Sequence, residues 1–143
     1  MNPPVSYSDL RVYFEQTINE YLDLLRHMVD INSFTANPAG VDALGRLTTD
    51  RFVALGFTAE TVPSTDPRYG HHLILTRAGR SDGDAVAPVI GLISHLDTVF
   101  PAAEEQANDF TFRIEGDRVY GPGTVDIKGG TVMIYMVLDG LRR

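Results

Sequence analysis

Val89-Ile90-Gly91-Leu92-Ile93-Ser94-His95-Leu96-Asp97-Thr98-Val99-Phe100-Pro101 is the stretch whose reading decides the fold. Its first half, residues 89–94, is a compact apolar run, the pattern of a strand buried on both faces of a sheet. The run delivers a His and an Asp to its C-terminal end, which is the edge where open α/β sheets place their ligand sites. Residues i and i+2 of an extended chain point to the same side. His95 is then placed to offer a ring nitrogen to a metal, with Asp97 near the other ring nitrogen. A carboxylate there fixes the tautomer and raises the basicity of the ligand. The same triplet also fits a plain strand end, with a satisfied imidazole and a turn-forming Asp.

Downstream, residues 112–114 and 119–120 read as a hairpin around Glu115-Gly116-Asp117. The chain then passes through Gly121-Pro122-Gly123 into an apolar, helical run from about Gly130 to Leu141. Upstream, Leu10, Phe14, Ile18, Tyr21, Leu25 and Met28 recur at helical spacing, with Ser8 and Asp9 offering N-capping oxygens. A second helix has Asn37 as its cap, Pro38 in its first turn and Gly56 after its last. Val41, Leu44, Leu47, Phe52 and Leu55 form its inward face. Residues 57–62 and 73–76 read as short strands around a turn at Thr65-Asp66-Pro67, and residues 80–84 as a surface loop. Helices interleaved with strands give an α/β layered fold.

The second chemical stretch is Tyr120-Gly121-Pro122-Gly123-Thr124-Val125-Asp126-Ile127-Lys128-Gly129-Gly130. Its G-x-G start fails as a dinucleotide turn, because Asp126 occupies the third glycine position. Lys128 is followed by Gly129 where a phosphate-binding loop needs Ser or Thr. What is left is a carboxylate on a glycine-rich loop before a helix. It is either a capping Asp favoured by the helix dipole or an acid able to bridge two cations.

Composition narrows the function. The chain has 143 residues with a formal charge of -7, so it lacks the basic face that a nucleic-acid partner requires. With no cysteine, disulfides, thiolate zinc ligands and a cysteine nucleophile are all excluded, and any metal falls to His, Asp or Glu. No basic start leads into an apolar leader, and no apolar stretch approaches the ~18 residues of a membrane span. The expectation is a cytoplasmic protein with neither a membrane nor a nucleic-acid partner.

Taken together, Ser94-His95-Leu96-Asp97-Thr98-Val99 and the later Gly121-Pro122-Gly123-x-x-Asp126-x-Lys128-Gly129-Gly130 resemble the signature of a metallopeptidase family. That family contains glutamate carboxypeptidase, acetylornithine deacetylase, succinyl-diaminopimelate desuccinylase, aminoacylase and tripeptidase. Phe112-Arg113-Ile114-Glu115-Gly116-Asp117-Arg118-Val119-Tyr120 is similar to its glutamate carboxypeptidase branch. Ile31-Asn32-Ser33-Phe34-Thr35 and Leu55-Gly56-Phe57 match in order and spacing.

The resemblance implies an α/β, mixed-sheet, zinc-exopeptidase-like layered domain that is incomplete at its C-terminus. Residues 1–143 would be the N-terminal portion of the catalytic domain, without the lid or dimerisation domain through which the longer protein would form a homodimer. Two zinc ions are the implied cofactor. His95 and Asp126 are the implied metal ligands, Asp126 bridging both ions, and Asp97 is the catalytic residue that orients His95. The resemblance further implies a cis peptide bond after Asp126. The implied activity is hydrolysis of amide bonds in small peptides with C-terminal glutamate, or alternatively deacylation of N-acyl amino acids. The catalytic glutamate pair, a further acidic ligand and a last His have no match here, so a non-catalytic binding domain that kept the fold is the rival. Glu104-Glu105 reads as a solvated surface pair, His71-His72 as structural for want of an acidic partner at metal spacing, and His27 as surface or packing.

Overall fold

In this computed structural model, residues 6–79 and 88–142 are described; the loop expected at residues 80–84 lies outside them. The core is helical. Helix α1 (Tyr7–Val29) opens on Ser6, whose hydroxyl accepts from the Asp9 amide while the Asp9 carboxylate accepts from the Ser6 amide. This reciprocal capping box satisfies two otherwise orphaned donors. The cap thus falls at Ser6, ahead of the Ser8-Asp9 pair. Helix α2 (Pro38–Val53) starts as the sequence indicates, with the Asn37 side chain accepting from Gly40 and Pro38 in the first turn. Gly56 follows at φ 87°, a left-handed position that only glycine adopts without cost.

Helix α1 buries Tyr21, Leu24, Leu25, Met28 and Val29 against Leu44 of α2 and Val132 of the last helix. Full burial of each such side chain is worth roughly 1.5–3 kcal/mol, so this seam dominates stability. It ends in a polar lock. Asp139 is buried, and it accepts hydrogen bonds from Tyr21 Oη at 2.8 Å and from Tyr13 Oη. Burial pushes the Tyr21 phenol well above its ordinary value, and the hydrogen bonds with Tyr13 and Asp139 add to the shift.

Strands β1 (Thr58–Val62) and β2 (His72–Thr76) form an antiparallel hairpin with Thr58 opposite Thr76 and Val62 opposite His72. Asp42 of α2 pins it, accepting from the His71 amide at 2.8 Å and facing His71 Nδ1 at 3.0 Å. His71 therefore does have an acidic partner, supplied from another element rather than from its own neighbourhood. Helix α3 (Ala102–Ala107) carries Glu104 and Glu105. Strands β3 (Arg113–Glu115) and β4 (Arg118–Tyr120) make the second hairpin, with Gly116 at φ 62° in its turn. Helix α4 (Lys128–Gly140) ends the fold.

Two expectations need correction. Residues 89–94 form neither strand nor helix, and they are open on both sides, with Val89 95% and Ile93 92% exposed. A strand buried on both faces needs a neighbour on each edge. Here β1–β2 and β3–β4 pair only with each other, so no mixed sheet forms among the described residues. The trace of parallel pairing is a single bridge, Phe34 to Thr98. Glu105 is the second correction. It lies half-buried on a helix, and its Oε1 is shut off from water without a hydrogen-bond partner, unlike a solvated surface acid.

Candidate metal centre

The site is assembled from three loops that the helices hold in register. The connector between α1 and α2 docks on the segment after His95 through backbone pairs. Thr98 N donates to Ser33 O at 2.8 Å, and Thr35 N donates to Thr98 O at 2.9 Å. The Asn32 side chain adds a bond to the Phe100 carbonyl at 3.0 Å. The glycine loop is tied to the same connector by Lys128, whose Nζ donates to Ile31 O at 2.8 Å. Gly123 makes room for this, since a side chain there would meet the Lys128 stem and Thr98.

Lys128 is the only lysine in the sequence and is 1% exposed. Desolvation lowers its pKa from 10.5 to about 8, against the pull of the Glu105 and Asp30 charges. The burial of Lys128 and its bond to Ile31 are findings of the fold that no sequence motif marks.

His95, Asp97 and Asp126 come together. His95 Nδ1 lies 3.0 Å from the Asp97 carbonyl and 3.3 Å from Asp97 Oδ1, while Nε2 lies 3.0 Å from Asp126 Oδ1. The i,i+2 pair thus shares one side without a strand to enforce it. Asp97 Oδ2 is in turn held by the Thr35 hydroxyl at 2.5 Å. The peptide bond between Asp126 and Ile127 is cis, as the sequence resemblance implied. Glu104, Glu105, His27, His71 and His72 take no part in this contact set.

The polarity of the contacts tests whether a cation fits. Both ring nitrogens face oxygen acceptors, Nδ1 the carbonyl and carboxylate of Asp97 and Nε2 the carboxylate of Asp126, and the single proton of a neutral ring serves only one of the two sides. Lone pair facing carboxylate is repulsive unless a proton or a cation lies between them. A zinc ion bonds to N and O donors at about 2.0–2.2 Å, a span compatible with the 3.0 Å separation. The donor set suits the ion in kind but is short in number: no cluster of three or more metal-binding side chains occurs among the described residues, and catalytic zinc sites keep three protein ligands. A cleft of about 250 Å³ opens beside Asp126, bordered by Thr98, Phe100, Gly121 and Gly123.

Comparison with known proteins gives this arrangement a class. Residues 91–143 match peptidase family M20/M25/M40. Among individual relatives, it is 31% identical to carboxypeptidase G2 of Pseudomonas sp. (strain RS-16), over 82% of this chain and 27% of that protein. It is 28% identical to acetylornithine deacetylase of Yersinia pestis, over 85% of this chain and 32% of that protein. The chain thus spans about a third or less of the relatives it matches. No helix among the described residues is long and apolar enough to cross a membrane.

Proposed function

We propose that this chain carries part of the active site of a zinc-dependent amide hydrolase, acting on small substrates with a free carboxylate beside the scissile bond. The observation that carries the reading is the convergence of His95 Nε2 and Asp126 Oδ1 at 3.0 Å. His95 and Asp126 would hold the metal, and Asp97 would keep the imidazole proton on Nδ1 so that Nε2 stays available. Bound zinc would supply Lewis acidity, polarising the amide carbonyl and acidifying water. The cleft beside Asp126 is small by the standard of ligand pockets, about 300–1,000 Å³, and suits an amino-acid-sized group. The names of the relatives, a carboxypeptidase and an acetylornithine deacetylase, support two substrate kinds, peptides cleaved at the C-terminus and N-acyl amino acids, and the resemblance in sequence narrows the first to C-terminal glutamate. Further ligands and the catalytic base would come from the part of the relatives' length that this chain does not span.

Calorimetric zinc titration tests the metal reading. The chain is expected to bind zinc weakly, and His95→Ala and Asp126→Asn each to remove that binding. Uptake unchanged in both variants would overturn it. In a longer product that begins with this chain, zinc-dependent release of amino acid from N-acetylornithine or a dipeptide ending in glutamate is expected, and it should be lost in His95→Ala. Turnover surviving that substitution would refute the hydrolase assignment.

A further inference from the structure

The polar contacts behind the candidate site form one line, and His95 Nδ1 is further held by the Asp97 carbonyl at 3.0 Å. Thr35 Oγ1 donates to Asp97 Oδ2 at 2.5 Å, Asp97 Oδ1 faces His95 Nδ1 at 3.3 Å, and His95 Nε2 faces Asp126 Oδ1 at 3.0 Å. Thr35 stands at its far end, on the connector between α1 and α2. It touches neither His95 nor Asp126. The hydroxyl has a second acceptor within reach, Thr98 O at 3.2 Å, but one proton can serve only one acceptor at a time, and the shorter contact is to the carboxylate.

We propose that Thr35 is a positioning residue for the metal-binding imidazole, acting through Asp97; the proposal rests on the reading of His95 as a ligand. The argument is one of freedom. Asp97 lies on a segment with no sheet to fix it, and its carboxylate is half-open to solvent. Without a second tether, rotation of that carboxylate would withdraw its charge from Nδ1 and leave the ring only the neutral Asp97 carbonyl at 3.0 Å, a weaker hold on the tautomer. The Thr35 hydroxyl occupies one carboxylate oxygen and so commits the other to the ring. The Thr35 amide, bonded to Thr98 O at 2.9 Å, fixes the distance between connector and site. Serine keeps the donor; valine keeps the shape and loses it.

Two readouts separate this proposal from the reading beneath it. The first uses the metal-free chain: the ring-nitrogen NMR signals of His95 at one fixed pH. Thr35→Val is expected to redistribute the tautomers and Thr35→Ser to retain the wild-type signals. The second is zinc titration, where Thr35→Val should weaken binding about ten-fold and Thr35→Ser should not. If wild type takes up no zinc, the ligand reading fails, yet the NMR comparison still decides the tether. Ring signals identical in wild type and Thr35→Val would overturn the proposal, as would zinc affinity unchanged in a folded Thr35→Val. Should Thr35→Val lose its helical circular dichroism, the wild-type hydroxyl proton decides. It is expected to be observable, slowly exchanging and close to Asp97, and an averaged, rapidly exchanging hydroxyl would refute the tether.

Discussion

Burying the only lysine of the chain sets a pH dependence of stability that can be worked through. Lys128 has a folded pKa of about 8 against 10.5 when solvated, and the cause is desolvation. A lysine with a lowered folded pKa binds more protons unfolded than folded, so stability rises with pH between the two values. Each pH unit in that window is worth about 1.4 kcal/mol. The tyrosines close the window from above. Burial raises the pKa of both Tyr21 and Tyr135 from 10.0, so the unfolded chain loses those protons first and stability falls above that pH. Between pH 8 and 10 the lysine should therefore add about 2 kcal/mol, part of it offset by the two tyrosines near pH 10, in urea unfolding followed by circular dichroism. Lys128→Met serves as the control. It removes the titrating ammonium but leaves the Ile31 carbonyl without its donor, a loss of about 1–3 kcal/mol, so its stability at neutral pH is a poor reporter. Its slope is a good one, and it should be flat across the window. A flat wild-type profile, or an equal slope in Lys128→Met, would refute the account of a desolvated ammonium.

Truncating the buried seam with Met28→Ala should cost about 2–5 kcal/mol in the same assay, since Met28 is 1% exposed and its removal leaves a cavity in the core cluster. Asp139→Ala, which removes the shared acceptor of the Tyr21 and Tyr13 hydroxyls, should destabilise more than Tyr21→Phe, which removes one donor and leaves Asp139 its other contacts; thermal melts of the two variants rank them. The Asp42 carboxyl is held below its usual range, chiefly by the His71 amide. A lowered folded pKa gives stability that is present above the unfolded value and lost as pH falls through the folded one. Amide exchange of β2 should therefore speed up on acidification below about pH 4, near the ordinary carboxylate value, and Asp42→Asn should blunt the response.

The helices were legible because their signals are local. Asn37-Pro38 and the Leu24–Met28 side of α1 act through spacings of one to four residues, and the helices form where those spacings place them. The run at residues 89–94 misled for the opposite reason. Its apolar composition encodes burial, but burial of a strand depends on neighbours, and composition does not say where those neighbours come from. The site lay between these cases. His95, Asp97 and Asp126 were visible as chemistry, and the fold brings them into contact. Thr35 was visible only as part of a matching segment, because its hydroxyl acts across 62 positions of sequence. The Asp42–His71 pair escaped for the same reason, spanning 29 positions. Glu105 looked solvated because polarity suggests exposure, whereas its position is dictated by the packing of a short helix.

The open apolar run also governs how copies of the chain behave toward one another. Val89, Ile90, Leu92 and Ile93 present oily side chains on a segment that pairs with no strand among the described residues, a surface that adheres to its own kind. Mutual repulsion from the charge of -7 opposes that adhesion at neutral pH. The opposition disappears near the isoelectric point of 4.9 and is screened by concentrated salt. Colloidal stability is thus a contest between one sticky ribbon and a diffuse negative cloud, with cloud points rising first in mildly acidic or salty solutions. Replacing Ile93 with Lys would place a charge on the ribbon itself and shift that boundary without touching the buried core.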